Sequence, residues 1–281
     1  IFLEENIIMR ISIDFGITVT DTLAKDSKGN LKHHMMLSEK DPSDNLISEI
    51  IKELNVQENI EHISLTGGKH KNIGEIVNGI PVTHVNEVDA IGEGAVSLTG
   101  IKPSKPSIIV SAGSGTACIL AKDGKFVHCS GTGVGGGTVL GLSKLLLNTI
   151  DPGEIESLAK EGLTNGVDLI LEDVVSGPIG LLPKDTTAVN FGKVSKISQR
   201  PSREDIAAGI INLVGQTAAR IATSVAVAYG ASDIVVVGRT PTFDNLRTSL
   251  EQAALITNFT PHFPENGEYA SALGALIIGE K

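Results

Sequence analysis

The chain has 281 residues, of which 41% are hydrophobic and 20% charged, enough for one large or two modest globular domains. Its 33 acidic and 23 basic residues give a net charge of −10, which excludes the basic footprint of a nucleic-acid-binding protein. No apolar run approaches the ~18 residues of a membrane span, and no positive region marks a signal peptide. We therefore expect a cytoplasmic protein with neither a nucleic-acid nor a membrane partner.

The first half of the chain predicts three strands followed by alternating helices and strands. The three strands form an antiparallel meander: Met9–Phe15, Val19–Lys25 and Lys32–Leu37. A 3.6-residue apolar period predicts a helix at Leu46–Leu54, with Asp44 as its N-cap, and a short parallel strand at His62–Leu65. A second helix is predicted at Asp89–Leu98. Residues 1–8 precede the methionine of the first strand, and we interpret them as an extension outside the fold.

The same order of elements begins again near residue 107. The predicted strands are Ser107–Ser111, Ala117–Ala121, Lys125–Cys129 and Ile234–Val237. The predicted helices are Thr138–Thr149, Ile155–Lys160, Arg203–Tyr229, Leu246–Ile256 and Ser271–Ile278. The apolar spacing of the longest helix indicates a buried central element, and residues 167–192 are predicted to be mixed and looped. The repeated layout predicts an α/β fold of the actin-like ATPase (ribonuclease H-like) type, with similar lobes at 9–106 and 107–281 and nucleotide between them.

Two strand-to-turn segments, one in each half, have the residues of phosphate loops. In the first loop, Asp14 ends a strand and Gly16 and Thr18 follow, so N–H groups and a hydroxyl could meet phosphate while the carboxylate holds Mg²⁺, directly or through water. The second loop has the sequence Ser111, Ala112, Gly113, Ser114, Gly115, Thr116. Either segment alone could be an ordinary turn. As a pair they could hold the β- and γ-phosphates from opposite sides.

Further glycines mark two other candidate anion contacts. Gly135, Gly136 and Gly137 place bare backbone at a helix N-terminus, where unsatisfied N–H groups and partial positive charge suit an anion. The alternative is a flexible connection. Gly238 ends a later apolar strand, and the next residue, Arg239, could reach a phosphate or remain solvated.

Glu87 and Asp89 lie two residues apart just before a predicted helix. In a cleft, Glu87 could accept a proton from a substrate hydroxyl as that oxygen attacks phosphorus. The alternative is that both residues are helix-start acids favoured by the helix dipole. The two cysteines, Cys118 and Cys129, lie in segments predicted to be adjacent strands, and we expect reduced core thiols rather than a metal site.

Five ordered blocks, spread over nearly the whole chain, resemble the type II pantothenate kinases. These blocks are Leu65–Gly68, Asn86–Ala90, Val134–Leu142, Asp185–Gly192 and Glu265–Gly267 with Ala272–Leu276. The resemblance implies a homodimer of the acetate and sugar kinase, Hsc70 and actin fold. It also implies that the protein uses ATP and Mg²⁺ to phosphorylate the primary hydroxyl of pantothenate, the first step of coenzyme A synthesis.

The resemblance also assigns roles to individual residues. It makes Glu87 the catalytic base, and the segment with Asn190 and Gly192 would border the adenosine. We expect contacts with the acceptor from residues at the ends of the second-half strands, namely Ser111, His128, Gly131 and Thr132.

Two positions depart from the pattern of that family. Ile17 replaces a glycine of the first phosphate loop, and His128 replaces an arginine near the transferred phosphate. These departures leave open a kinase of the same fold that acts on another small hydroxylated acid or amide, or a nucleotide-binding regulator with weak catalysis. A hydantoinase-like or activator ATPase is also open, although the cysteines that would ligate an iron–sulfur cluster are missing.

Overall fold

The computed structural model describes residues 8–55, 60–101, 105–177 and 182–281. They fall into two compact units, unit 1 (up to Ile109, with Ile119–His128 and Pro264–Lys281) and unit 2 (Val110–Cys118 and Cys129–Phe263). The predicted lobes at 9–106 and 107–281 stay a prediction. The two units have different bounds, because unit 1 also includes Ile119–His128 and the C-terminal helix. Residues 1–7 of the predicted extension and 178–181 of the looped segment lie outside the described residues.

The secondary structure follows the predicted order. The strands are β1 Met9–Phe15, β2 Val19–Asp26, β3 Leu31–Leu37, β4 Ile60–Gly67, β5 Ile76–Val77, β6 Ile80–His84, β7 Ser107–Ala112, β8 Thr116–Lys122, β9 Lys125–Thr132, β10 Leu169–Ile170, β11 Thr187–Val189 and β12 Asp233–Val237. The helices are α1 Asp44–Leu54, α2 Glu87–Thr99, α3 Gly136–Leu147, α4 Pro152–Glu161, α5 Leu171–Val174, α6 Arg203–Tyr229, α7 Asp244–Leu255 and α8 Ala270–Gly279.

Six helices (α1, α2, α3, α4, α7 and α8) begin one to three residues earlier than predicted. Ser43, not Asp44, caps α1, because its hydroxyl accepts from the N–H of Leu46. Asn86 caps α2, which therefore begins at Glu87. α3 begins at Gly136, two residues earlier than predicted. Strands β5 and β6 have no counterpart among the predicted elements.

The sheet of unit 1 has the order β3-β2-β1-β4-β6-β5. β1 pairs antiparallel with β2 and parallel with β4, and β4 pairs parallel with β6. Ile11, Ile13 and Phe15 of β1 pack against the apolar face of α1, while Ser12 on the same strand donates to the carbonyl of Ala272 in α8 (2.7 Å). β1 is thus covered on both faces, and Asp14 lies at the carboxyl edge of the parallel strands, where α/β proteins place ligands.

Helices α2 and α8 cross in backbone contact because both have glycine at the crossing. A Cβ built at Gly274 would overlap the carbonyl oxygen of Ala90, and one at Gly94 would overlap that of Ala270. This close packing fixes the helix that begins at Glu87.

We expect Gly274→Ala to lower the free energy of unfolding by about 3 kcal/mol, the upper end for overpacking a core. The matched control is Gly141→Ala on an exposed turn of α3, where a Cβ meets nothing within 4 Å. That change should raise the free energy of unfolding by ~0.5–1 kcal/mol, because alanine favours helix. Urea unfolding measures both variants. Equal stability of Gly274→Ala and the parent would contradict the close crossing.

The four-stranded sheet has the order β12-β7-β8-β9. This order matches β4-β1-β2-β3 of the first sheet, so the predicted duplication of layout is present in the strand order. A parallel bridge from Val235 to His262 adds a partner to β12, as β6 does for β4.

The core of unit 2 is built on α6, whose predicted bounds, Arg203–Tyr229, are confirmed. Ile206, Ile210, Val214 and Ala218 are buried at helical spacing, with α3, α4 and α7 packed around them. Within the described ranges, α6 is the one helix long and apolar enough to cross a membrane, but half of its most apolar window is buried. A core helix has this character.

Candidate active site

A cluster of carboxylates lies at the carboxyl edge of the sheet in unit 1. Asp14 of β1 pairs in register with Asp21 of β2, and Glu87 lies in the first turn of α2. Burial, then the charge of Glu87, then that of Asp21 raise the pKa of Asp14 from 3.8 to about 7, against a hydrogen bond from the Ser271 hydroxyl that lowers it. The structure therefore brings Asp14 and Glu87 together and adds Asp21 and Ser271, which the sequence did not predict.

Glu87 is an exposed residue whose side chain does not cap α2. The side chain of Asn86 accepts from the N–H groups of Val88 and Asp89 and so satisfies the start of α2. Capping therefore does not need the Glu87 carboxylate, but the helix dipole still favours an acid in this first turn, so the alternative that Glu87 is a helix-start acid stays open. Its closeness to Asp14 gives it an electrostatic partner at the sheet edge.

Gly67 allows the end of β4 to lie close to the carboxylate of Asp14. It adopts a φ of +83°, and a Cβ there would overlap the carboxylate of Asp14. The next residue, Gly68, donates its N–H to the carbonyl of Phe15 (2.8 Å). The glycine pair after β4 thus holds the end of β1 in place, which is a physical reason for the first of the five sequence blocks.

The first phosphate loop is a tight turn supported from β3. Gly16 donates to the carbonyl of Asp14 (3.1 Å), while the hydroxyl of Ser38 donates to the carbonyl of Gly16 (2.8 Å). The N–H of Ser38 also bonds the carbonyl of Thr18 (3.0 Å). Ile17 is 84% exposed, so its side chain points away from the turn's supporting contacts. Isoleucine at this position is therefore compatible with the turn.

In unit 2, the N-terminus of α3 docks onto the second phosphate loop. The N–H of Gly136 donates to the carbonyl of Gly113 (2.8 Å), and that of Gly137 to the carbonyl of Ser114 (2.9 Å). A Cβ at Gly135 would lie 2.7 Å from the loop backbone, so this approach requires glycine. Because protein carbonyls take two of the helix N-terminal donors, α3 holds the loop and directs its dipole toward it. A direct contact of these donors with phosphate stays a prediction.

Two threonine hydroxyls and the end of β12 complete this arrangement. Thr240, which the sequence did not predict, donates to the carbonyl of Gly113 (2.7 Å). Thr116 donates to the carbonyl of Val134 (2.8 Å), so its hydroxyl stabilises the loop. Gly238 has a φ of +98° and packs on the carbonyl of Ala112, 2.5 Å from a Cβ built there. The predicted loop residues of unit 2 thus lie in contact with one another: Gly113 to Thr116, Gly135 to Gly137 and Gly238.

Of the residues expected on the acceptor side, Ser111, Gly131 and Thr132 lie at the ends of β7 and β9, and His128 lies in the middle of β9. Ser111 is half-buried near the end of β7, and His128 is exposed on β9. Gly131 and Thr132 end β9, where the Thr132 hydroxyl accepts from the N–H of Val134 (3.2 Å). Their role toward an acceptor stays a prediction.

The segment expected at the adenosine is organised by a residue that the sequence did not predict. Asn190 lies 3.4 Å from the carboxylate of Asp168, and Gly192 packs closely on Val189. Asp168 is fully buried in the apolar run 167–170. An isolated carboxylate in such a run was the one signal in the sequence that pointed to it.

The donor set at Asp14 fits a single Mg²⁺ ion held mainly by phosphate. Among the described residues, no group of three or more His, Cys, Asp or Glu could hold a metal alone. Mg²⁺ usually takes one or two carboxylates together with phosphate oxygens and water, and Asp14 can supply one. Crowding by Glu87 and Asp21 disfavours the charged Asp14, and a cation would relieve it.

Burial raises the pKa of Cys118 to about 12, as for an unreactive thiol.

Comparisons with known proteins link these features to one family. Residues 101–277 match the family model named Fumble. A type II pantothenate kinase of Bacillus cereus is 29% identical over 273 residues, and one of Bacillus anthracis is 30% identical over 273. Both alignments cover 95% of this chain and 96% of the relative.

Solved structures show the same fold at low sequence identity. The activator of the 2-hydroxyisocaproyl-CoA dehydratase from Clostridium difficile, with bound ADPNP, has a TM-score of 0.66 and 14% identity, covering 97% of this chain and 94% of that one. A ROK family glucokinase from Streptomyces griseus, in complex with glucose and AMPPNP, has a TM-score of 0.61 and 13% identity, with 97% and 99% coverage. These likenesses confirm the predicted actin-like fold and bear on the fold alone.

Proposed function

The chain belongs to the Fumble family, with type II pantothenate kinases among its relatives, and from that premise we propose that it phosphorylates the primary hydroxyl of pantothenate with ATP. The predicted resemblance is confirmed. The observation that carries the proposal is the pair Glu87 and Asp14: an exposed carboxylate next to a half-buried one, at the edge of the sheet where this fold places ligands.

In the proposed mechanism, Glu87 orients the acceptor hydroxyl and takes its proton. The hydroxyl oxygen forms a bond to the γ-phosphorus, the bond from that phosphorus to the β-bridging oxygen breaks, and ADP leaves. The proton ends on the Glu87 carboxylate, which loses it to solvent before the next cycle. Asp14 would hold Mg²⁺, which when bound neutralises charge on the phosphates.

The second phosphate loop contributes a preorganised backbone. The hydrogen bonds from Gly136 and Gly137 fix the carbonyls of this loop, so little reorganisation remains when a nucleotide binds. The α3 dipole, directed at the loop, favours negative charge there. Adenosine contacts at Asn190 and Gly192 and acceptor contacts at Ser111, His128, Gly131 and Thr132 belong to the same proposal. So do dependence on Mg²⁺, a homodimeric state and a cytoplasmic location.

The choice of acceptor is tested by measuring ADP release with pantothenate and with a panel of other small hydroxy acids and amides. We expect kcat/KM for pantothenate to exceed that of every other compound by on the order of 100-fold, the discrimination that small differences in substrate size give in a fitted pocket. A higher kcat/KM for another hydroxy compound would favour the alternative that the substitutions at His128 and Ile17 accompany a changed acceptor. ATP binding without transfer to any compound would favour a regulator.

A further inference from the structure

Two carboxylates face each other on neighbouring strands of unit 1. Asp14 of β1 and Asp21 of β2 are register partners, and directly paired residues of an antiparallel ladder project from the same face of the sheet. Asp14 is half-buried, and Asp21 is only 7% exposed. Like charges in opposite positions destabilise a sheet, so the folding of the sheet does not explain this pair.

Each of the two carboxylates is oriented by a donor from another element. The Ser271 hydroxyl at the start of α8 donates to Asp14. His33 of β3 donates from Nε2 to Oδ1 of Asp21 (2.8 Å), and its ring lies against that of Tyr269, with centroids 4.6 Å apart. Donors that fix the direction of a carboxylate are typical of the surroundings of metal ligands.

A buried hydroxyl without a partner lies beside Asp14. Thr66 of β4 is the register partner of Asp14 on the other side of β1, and its exposure is 0%. Its Oγ1 has no hydrogen-bond partner in the described part of the chain. Strand alternation places it on the face of Asp14, since Ile13 and Leu65 both belong to the core on the other face. An unsatisfied buried hydroxyl is costly, so this one indicates a polar ligand at the carboxylates.

Thr66 differs in this respect from the hydroxyl two residues before it. Ser64 is also buried, and its Oγ has no partner among the described residues. A Cβ at Gly279 of α8 would overlap that oxygen, so the helix backbone covers it. Thr66 instead lies near the carboxyl end of β4, where a Cβ at the next residue, Gly67, would overlap the carboxylate of Asp14.

The chemistry of these groups suits a small, hard divalent cation. Two carboxylates and a hydroxyl offer only oxygen atoms, which Mg²⁺ and Mn²⁺ prefer. Mg²⁺ usually keeps several waters and needs only one or two carboxylates from the protein. A cation would offset the repulsion between Asp14 and Asp21. A water bound to it would donate hydrogen bonds, and the hydroxyl of Thr66 can accept one.

We propose that Asp14 and Asp21 hold a divalent cation before any nucleotide binds, that the Thr66 hydroxyl accepts from a cation-bound water, and that His33 is a positioning residue for Asp21. This inference rests on the proposed Mg²⁺-dependent function, in which Asp14 alone is assigned to the cation. His33 acts through Asp21 and does not touch the cation.

The test is Mn²⁺ binding to the nucleotide-free protein, measured by the loss of the free Mn²⁺ signal in electron paramagnetic resonance. We expect Mn²⁺ to bind and Mg²⁺ to displace it, because both ions prefer oxygen ligands. Asp21→Asn removes a charged ligand and should raise the Kd for Mn²⁺ at least about tenfold. Asp123→Asn, the same change on an exposed turn, should leave that Kd within about twofold of the parent.

Two substitutions at His33 test its positioning role. His33→Phe keeps a ring against Tyr269 but removes the donor to Asp21, so the Kd for Mn²⁺ should rise about tenfold. In His33→Gln the amide can donate in place of Nε2, and the Kd should stay within about threefold of the parent. The matched control is His34→Phe, because His34 lies on the opposite face of the same strand, 3.0 Å from Glu53, and should not affect the Kd.

Thr66→Val separates a role toward the cation from a structural one. The change keeps the shape of the side chain and removes an unsatisfied hydroxyl, so without divalent cations the variant should unfold at a higher urea concentration than the parent. Its Kd for Mn²⁺ should nevertheless rise about threefold. A lower urea midpoint with an unchanged Kd would show that Thr66 serves only the fold and would contradict its part in the proposal.

The outcomes separate this inference from the proposed function. A parent that binds no Mn²⁺ without nucleotide would overturn the inference, and so would parental affinity in both Asp21→Asn and His33→Phe. The kinase proposal would survive either result, because ATP would then bring the cation to Asp14. A parent that binds Mn²⁺ but does not phosphorylate pantothenate would remove only the proposed acceptor. If Asp21→Asn does not fold, the two His33 variants decide the question.

Discussion

Glu87→Gln is expected to lower kcat with pantothenate by roughly 10²–10⁴-fold, the range for loss of a positioned general base. The amide keeps the size of the side chain but cannot accept the proton of the acceptor hydroxyl. ATP binding should stay within about threefold of the parent, because Asn86 rather than Glu87 caps α2. Turnover is measured by ADP release at saturating substrates, and ATP affinity by calorimetry.

The matched control for this change is Asp89→Asn, in the same first turn and also exposed. It removes one acid from the helix start and should change kcat by less than about threefold, since a first-turn acid contributes only ~0.3–1 kcal/mol through the dipole. Full turnover in Glu87→Gln, or an equal loss in both variants, would contradict the role of Glu87 as the base.

Asp14→Asn is expected to abolish most turnover and, at about pH 8, to stabilise the fold. The amide loses the charge that would hold Mg²⁺. It also removes a carboxylate that burial, Glu87 and Asp21 disfavour in its charged form. A rise of its pKa from 3.8 to about 7 is equivalent to ~4 kcal/mol, and solvent screening of this partly exposed residue reduces the expected gain to ~1–2 kcal/mol.

The stability effect should depend on pH in a defined direction. The folded state binds the proton of Asp14 more tightly than the unfolded chain does, so the parent's free energy of unfolding falls as pH rises from about 4 to about 7. The gain in Asp14→Asn should therefore be absent below about pH 4 and complete above about pH 7. Urea unfolding across this range, without Mg²⁺, measures it.

Asp123→Asn provides the control for the same chemical change. Asp123 is an exposed turn residue with a φ of +52°, which asparagine tolerates. The free energy of unfolding of Asp123→Asn should therefore equal that of the parent across this range. Asp14→Asn that loses stability at high pH, or that keeps parental turnover at low Mg²⁺, would contradict the assigned environment of Asp14.

Local patterns were sufficient to predict most of the elements, though not β5 and β6, and the strand-end residues of the site. Alternation placed β1, and with it Asp14 at a strand end, while the apolar spacing of α6 gave its bounds. The functional assignments of Glu87 and of the adenosine segment depended on resemblance to a family, because two acids before a helix have an ordinary structural explanation.

Interactions between distant parts of the chain could not be predicted. Asp21 stands opposite Asp14 only because of the register of β1 and β2. The N–H groups of α3 were expected to be available for phosphate, but whether a ligand or the carbonyls of Gly113 and Ser114 take them depends on how the helix docks. Ser38 reaches the first loop only because β3 pairs with β2.

Asp168 shows the same limit most clearly. Its partners Thr187 and Asn212, and Ser249, which donates to Asn212, come from three separate elements, so no local pattern contains this hydrogen-bond network. The sequence offered only a charged residue in an apolar run, which is as compatible with a turn as with a buried network. Only the tertiary packing distinguishes a turn from a buried network, and in this structure it places Asp168 in a buried network.

The central claim is most directly tested by the mass of the product formed when the protein is incubated with MgATP and pantothenate. Transfer to the acceptor predicts a pantothenate derivative heavier by one phosphoryl group, formed in equal amount with ADP, and its near absence with Glu87→Gln. ADP with unmodified pantothenate, or no ADP while calorimetry shows that ATP binds, would contradict the claim that this site phosphorylates pantothenate.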